Sequence, residues 1–178
     1  MQAVIPTNPG KLYLVRFPAP ILKQRAAAVT EFGDRLAALA ARMLEIMRQG
    51  QGVGLAAPQA GVSLRMFVCN VTGEPGADDV FVNPTFAELR GADDKEEGCL
   101  SIPAVHVTMR RATHATINAL DLHGNAVTRQ GEGLLARVWQ HEVDHLDGRL
   151  IIDNMSPTDE IANRRAIKQL KQDDAGAR

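Results

Sequence analysis

The clearest hydrophobic pattern in the chain has helical spacing, and it occurs in two places. Across Asp34–Gln49, apolar residues recur every three or four positions, and Gly50 follows where a helix cap is expected. The same spacing returns across Gly133–Leu146. A third helix is predicted to begin near Ser156, because Pro157 and an acidic residue two positions later are typical of a first helical turn.

Shorter apolar stretches predict β-strands, most of them in the middle of the chain. Residues 11–17, 64–71 and 80–82 have strand-like composition, and two prolines close the first of them. Residues 116–122 and 126–130 flank a His-Gly-Asn turn, which predicts a hairpin. The regular strand–helix alternation of a doubly wound sheet is missing, so we predict an α+β fold.

Length and charge restrict the domain count and the kinds of partner. The chain has 178 residues and 45% hydrophobic residues, enough for one domain, which we assign to residues 11–172. Residues 1–10 are expected to form a flexible N-terminal arm and residues 173–178 a C-terminal tail. The formal net charge of −1 offers no basic excess, so we expect no direct DNA binding.

The cysteine content and the lack of a recognisable targeting signal indicate the cellular compartment. Two Cys cannot form the disulfide framework of a small secreted protein. No basic stretch precedes an apolar core at the N-terminus, and no apolar run is long enough to cross a bilayer. We therefore expect a cytoplasmic protein without a membrane partner, and leave open whether a transit peptide precedes this sequence.

A His-Glu-x-x-His motif lies inside the second predicted helix. His141 and His145 are one helical turn apart, so their imidazoles can converge on one metal ion from a single helix face. Glu142 is rotated by about 100° from His141, so it can carry a proton beside the metal without ligating it. The alternative is an ordinary solvated polar face, because a motif this short also occurs by chance.

Cys99 is the best candidate for a third ligand. It follows a glycine, which lets the backbone approach closely, and two imidazoles with one thiolate leave the fourth tetrahedral position open, as in catalytic sites. His106, His114 and His123 lie in strand-like or turn segments and are more typical of ordinary surface residues. Cys69 lies in an apolar strand and is expected to be a small buried hydrophobe.

The segment Gly52–Gln59 is rich in small residues. It lacks both the glycine spacing of a dinucleotide-binding turn and the lysine of a P-loop, so phosphate binding is disfavoured. Small residues allow the backbone to approach a ligand, and Gln59 supplies an amide donor. A tight structural loop would explain the same residues equally well.

Together, three segments resemble the ordered signature motifs of the peptide deformylases: Gly52–Gln59, Glu97–Ser101 and Gln140–Gly148. The resemblance extends from about Leu12 to Leu170. It implies a hydrolase that removes the N-formyl group from the initiator methionine of nascent polypeptides and releases formate. It also implies a single α+β domain in which mostly antiparallel strands pack around the motif helix, with a helix at the C-terminus.

The resemblance also implies a role for each matching residue. The metal would usually be Fe(II), with Zn(II), Ni(II) or Co(II) able to replace it. Val53, Leu134 and Val138 match positions that line a methionine pocket, although plain core packing explains them equally well. The remaining implied roles are metal ligation by Cys99, His141 and His145, acid–base catalysis by Glu142, oxyanion stabilisation by Gln59 and the Leu100 N–H, and peptide binding by Gly54.

Some positions depart from the family pattern or stay open. Arg137 stands where many bacterial members have an apolar residue, and it could face either solvent or the peptide. In Met109-Arg110-Arg111, many members have proline immediately before the arginine that matches Arg111, and this departure puts the local strand geometry in doubt. A cluster of cations in the last predicted helix is either a solvated face or a transient ribosome contact: Arg164, Arg165, Lys168 and Lys171.

Two other function classes are compatible with parts of the pattern. A His-Glu-x-x-His peptidase would cleave internal peptide bonds, but the cysteine ligand and the Gly/Gln loop argue against it. A non-catalytic metal-binding domain would be expected to lack Glu142 or Gln59, and both are present.

Overall fold

The computed structural model describes residues 4–176, and its elements form one α+β domain, as the sequence predicts. The three helices are α1 (Asp34–Gln49), α2 (Gly133–Leu146) and α3 (Pro157–Gly176). The seven strands are β1 (Gly54–Ala56), β2 (Met66–Cys69), β3 (Asp79–Arg90), β4 (Asp93–Cys99), β5 (Ile102–Arg111), β6 (His114–Leu120) and β7 (Ala126–Glu132). The helix bounds expected for α1 and α2 are confirmed.

A five-stranded antiparallel sheet forms the middle layer of the domain. Its strand order is β1-β2-β3-β6-β7, so β1 is an edge strand whose outer side is unpaired within this sheet. The other two strands, β4 and β5, form a separate antiparallel hairpin. Within residues 4–176, no helix combines the length and the apolar composition needed to cross a membrane.

The sheet separates α1 from α2, and β2 explains why. Met66 and Val68 belong to the core cluster that contains the buried face of α1, whereas Phe67 and Cys69 belong to the cluster of α2. Successive side chains of a strand point to opposite faces, so a strand covered on both sides must be apolar throughout. All four residues of β2 are accordingly buried.

Aromatic packing fixes α2 against the sheet. The rings of Phe67 and Phe81 stack with centroids 4.9 Å apart, and Trp139 meets Phe81 edge-on at 5.3 Å. Rings at these separations gain energy beyond their buried area. This contact holds the helix that carries the His-Glu-x-x-His motif.

The β4–β5 hairpin packs in a third core of its own. The alternating residues Val105 and Val107 are buried there together with Leu22, Leu150 and Ile151, and residues of α3 close the cluster. Ser156 begins α3 as predicted, since its hydroxyl oxygen accepts the Asp159 N–H at 3.1 Å. The hairpin therefore rests on α3 rather than on the apolar core around α2.

Several predictions about the strands need correction. Residues 11–17 do not form the expected strand: Val15 N–H donates to the Gln59 carbonyl and Phe17 N–H to the Ser101 carbonyl, so this extended segment bridges two loops instead of one ladder. The stretch assigned to a loop at residues 54–56 is β1. Residues 93–99, for which the sequence patterns predict no element, form β4, and β3 extends eight residues beyond Val82.

The predicted domain bounds stay a prediction, but parts of them can be described. Ile5, inside the expected arm, is buried in the cluster beside α1, and Pro9–Lys11 form a short 3-10 helix. The expected tail, residues 173–178, includes the last turn of α3. Residues 1–3 and 177–178 lie outside the described part of the chain.

Candidate metal centre

Three side chains converge where α2 faces the end of β4. The ligand atoms of Cys99, His141 and His145 all lie within 4.8 Å of one another, and Cys99 Sγ is 3.3 Å from His145 Nε2. The two histidines are four residues apart on one helix face, so their rings lie 5.0 Å apart between centroids. His106, His114 and His123 are exposed and lie outside this group.

These three residues fit a divalent metal ion. His141 donates its Nδ1–H to a Glu97 carboxylate oxygen at 3.0 Å, so Nε2 is the ring nitrogen that could ligate an ion once its proton is lost. Cys99 is a free thiol, and a thiolate with two imidazoles is a donor set that Zn(II) and Fe(II) both accept. Among residues 4–176 the group has three members, so a fourth coordination position remains for water or substrate.

Glu97 is a buried carboxylate that accepts hydrogen bonds from several side chains, and the sequence patterns did not single it out. Arg111 donates to both of its carboxylate oxygens at 3.0 Å, and Arg137 donates to Oε1 at 2.7 Å. Burial by itself raises the pKa of Glu97, but the hydrogen bonds from His141 and Arg111 outweigh it and lower that pKa to about 2. The carboxylate therefore stays ionised, and it orients His141.

The signal for Glu97 was its spacing. It lies two residues before Cys99 on a strand, and residues two apart on a strand face the same side. Glu97 is the only residue of β4 that is fully buried. If the charged residues 93–97 are recognised as a strand, Glu97 is expected to face the same side as Cys99.

The two histidines have opposite pKa shifts. Burial lowers the pKa of His141, but the hydrogen bonds to Cys99 and Glu97 more than reverse this and hold it well above its usual value. Burial, with the adjacent charge of His141, holds the pKa of His145 well below its usual value. His145 is thus already in the neutral form that a metal requires.

Glu142 lies beside the group in the position expected of a proton carrier. Its side chain is buried, and burial raises its pKa to about 7, with the His141 charge acting in the opposite direction. Gly54 makes room for it: a Cβ at residue 54 would collide with Glu142 Oε1 and come within 2.9 Å of Val138. A carboxyl group with a pKa near neutrality can both accept and release a proton.

The Gln59 amide is held in one orientation. Its Oε1 accepts the Ala56 N–H at 2.8 Å, so its NH₂ group points toward Ser101 Oγ at 3.2 Å and Cys99 Sγ at 3.6 Å. Gln59 is 1% exposed, which excludes competing water. The amide is therefore a fixed donor aimed at the candidate metal centre.

A cavity of about 410 Å³ opens beside these groups. Leu100 lies on its wall, and Gly54 and Val138 line it next to Glu142. Val53 and Leu134 are 39% and 54% exposed, so plain core packing does not account for these two, whereas Val138 also belongs to the core cluster of α2. The fold thus brings all ten residues singled out in the sequence to one place.

Of the two environments considered for Arg137 from the sequence, solvent is wrong, because its side chain is buried and lines the cavity. It is 6% exposed, and its guanidinium donates to Glu97, to the Met109 carbonyl at 2.9 Å and to the Asp93 carbonyl at 3.0 Å. It also pairs with the Asp93 carboxylate. Its side chain therefore lines the cavity, while its guanidinium is hydrogen-bonded to acceptors of the β4–β5 hairpin.

The fold and this arrangement are typical of a metal-dependent hydrolase, in which one cysteine and the two motif histidines could hold the ion beside a cavity. The sequence model of the polypeptide deformylase family matches residues 11–160, and the chain belongs to this family. Its members remove the N-formyl group from nascent polypeptides, and this protein is such a hydrolase. The expectation drawn from the three motifs is confirmed.

Individual relatives agree with the assignment. The chain is 39% identical to a peptide deformylase of Acidobacterium capsulatum over 161 residues, covering 89% of this chain and 95% of the relative. It is 46% identical to one of Dictyoglomus thermophilum over 134 residues, covering 75% and 86%. The crystal structure of a peptide deformylase from Legionella pneumophila is similar, with a TM-score of 0.85, 39% identity and coverage of 92% and 97%.

The two cysteines should differ sharply in reactivity. Cys69 is 1% exposed, and burial followed by the charge of Asp79 raises the pKa of its thiol far above the usual value, whereas Cys99 is partly exposed. We expect iodoacetamide to label Cys99 in the metal-free folded protein, and added zinc to slow this labelling. Peptide mapping by mass spectrometry measures both sites, and labelling of Cys69 first would contradict the assignment.

Proposed function

We propose that Cys99, His141 and His145 hold a divalent metal ion with which this chain hydrolyses the formamide of N-formyl-methionyl nascent peptides. The observation that carries the proposal is the convergence of three ligand atoms within 4.8 Å beside a buried carboxyl group and a fixed amide donor. A divalent ion held there would acidify a water molecule and polarise the formyl carbonyl.

Glu142 acts as the general base and then as the general acid. Its carboxylate accepts the proton of the attacking water, and it returns that proton to the leaving amine of the methionine. A pKa of about 7 suits both steps, because proton transfer is most effective when the pKa of the group is near the working pH. Formate and a free N-terminal methionine are the products.

Gln59 and Leu100 stabilise the negative charge that forms on the formyl oxygen. The Gln59 amide is already oriented by Ala56, and the Leu100 N–H is the second donor, at the turn that follows Cys99. Donors fixed in advance need not reorganise as charge develops, and losing one costs about 2.7–4 kcal/mol in comparable sites.

The substrate peptide lies along β1 with its first side chain in the cavity. Gly54 is on the outer edge of the five-stranded sheet, where an extended peptide can add main-chain hydrogen bonds. Val53, Leu134 and Val138 line the adjoining cavity, and their apolar surface suits an unbranched thioether chain.

The central test is formate release by Glu142→Gln. Since the amide cannot carry the proton, we expect kcat for a formyl-Met tripeptide to fall by about 10²- to 10⁴-fold with metal still bound. Formate and metal content are measured on the same sample.

Glu132→Gln is the matched control, because Glu132 precedes α2 with its side chain 83% exposed and should leave kcat unchanged. The unformylated tripeptide is assayed in parallel, and its cleavage would favour a peptidase instead. Wild-type formate release by metal-loaded Glu142→Gln would remove the role given to Glu142.

We propose Fe(II) as the resident metal, with Zn(II), Ni(II) or Co(II) able to replace it. A thiolate with two imidazoles suits all of these ions, and ferrous iron beside a thiolate is the combination that oxygen attacks most readily. We expect iron in anaerobically purified protein, and faster loss of formate release in air for the iron form than for a nickel-loaded form. Equal lifetimes would contradict the assignment of iron.

We propose that the protein works in the cytoplasm, where α3 makes a transient ribosome contact through its exposed cations. Arg164, Lys168 and Lys171 line a shallow depression on this helix, and Arg165 is exposed beside them. A basic helix face matches the phosphates of ribosomal RNA, and such contacts weaken steeply with salt.

Ribosome co-sedimentation at rising salt tests this contact. We expect binding that is lost at high salt and is abolished at low salt by changing the four cations of α3 to Gln. A variant with the same loss of charge elsewhere should still bind: Arg35→Gln, Arg90→Gln, Lys95→Gln and Arg129→Gln. If both variants lose binding, ribosome binding depends on net charge and not on α3, which would contradict the proposed contact.

A further inference from the structure

The metal centre lies on a seam between two separately packed parts of the domain. Cys99 belongs to the hairpin, whose buried residues pack with α3, whereas the residues on the buried face of α2 pack with the sheet. The backbones of the hairpin and α2 come close at few points. The apolar contacts of α2 itself therefore do little to set the distance from Cys99 to the two histidines.

Two arginines cross this seam in opposite directions. Arg111 reaches from β5 to Glu97 and then to Asp144 on α2. Arg137 reaches from α2 back to the hairpin, where it donates to Glu97, to the Met109 carbonyl and to Asp93. Both arginine side chains are 8% exposed, so these bonds are shielded from water.

Arg137 and His141 both donate hydrogen bonds to the carboxylate of Glu97. They are four residues apart on α2 and therefore on the same face. Arg137 donates to Glu97 Oε1 and His141 donates to Glu97 Oε2, at 2.7 and 3.0 Å. Glu97 is thus the shared acceptor of two hydrogen bonds. One orients the candidate ligand His141, and the other connects the hairpin to Arg137 of α2.

We propose that Arg137 is a positioning residue for the metal centre: by tethering β4 and β5 to α2, it presets Cys99 and His141 for one ion. The inference rests on the metal ligation given under the proposed function. Its anchor at Asp93 lies six residues before Cys99 at the opposite end of β4, so the tether fixes the whole strand. A preset ligand group binds its ion without first losing conformational freedom.

Cobalt affinity of the folded apoprotein is the direct test, read from the visible absorption of the cobalt–thiolate complex. Arg137→Met keeps an unbranched side chain but removes all its donors, so we expect the dissociation constant to rise by about 10- to 100-fold, as for other supporting residues of metal ligands. Arg137→Lys keeps the charge but not the planar fork, and should fall between wild type and Arg137→Met.

The matched control is Arg110→Met, on the same hairpin. Arg110 pairs with Asp94, and both side chains are more than half exposed, so we expect cobalt affinity within about twofold of wild type. Thermal unfolding separates stability from positioning, because a merely structural arginine would lower Tm and leave the cobalt affinity of the folded protein unchanged. Should Arg137→Met fail to fold, the comparison is made with Arg137→Lys.

A Cys99→Ala variant separates this inference from the assignment of the ligands, and because it lacks the thiolate its cobalt affinity is measured by equilibrium dialysis. Weak cobalt binding by Cys99→Ala and by Arg137→Met supports both. Weak binding by Cys99→Ala with affinity within threefold of wild type for the folded Arg137 variants overturns the role of Arg137 alone. Unchanged binding by Cys99→Ala overturns the ligand assignment and the inference that rests on it.

Discussion

The candidate metal centre depends on one buried ion pair network around Glu97. A carboxylate removed from water is costly unless its charge is matched and its lone pairs are used. Here two arginines and His141 satisfy both oxygens. Because those partners come from both sides of a polar seam, the same network joins the hairpin, which carries Cys99, to α2, which carries His141 and His145.

The side chains proposed to act on the substrate are each held in place by neighbouring residues. Trp139 anchors α2 to the sheet through Phe81, which fixes the direction in which the motif side chains leave the helix. The absence of a side chain at Gly54 lets the Glu142 carboxyl lie against β1. The Gln59 amide is held by Ala56. The groups proposed for acid–base catalysis and for oxyanion stabilisation are thus in place before substrate arrives, which is what electrostatic catalysis requires.

Local sequence predicted those elements whose pattern does not depend on distant partners. The period of α1 and α2 and the start of α3 at Ser156 are local signals, and they were predicted correctly. Strand β4 was missed because only Glu97 is buried in it, so it has no apolar alternation. Residues 11–17 were assigned to a strand on composition, but their hydrogen-bond partners come from two distant loops.

The sequence by itself determined the chemistry of the candidate site: the two histidines one helical turn apart, the cysteine, the carboxyl group and the amide in three ordered motifs that resemble one enzyme family. It could not determine what Arg137 does, because that depends on strand β4 lying against α2 across a seam between two cores. Only the tertiary structure brought Asp93, Glu97 and Met109 around one guanidinium. Helical spacing is a property of neighbouring residues, whereas a buried charge is placed by partners far away in sequence.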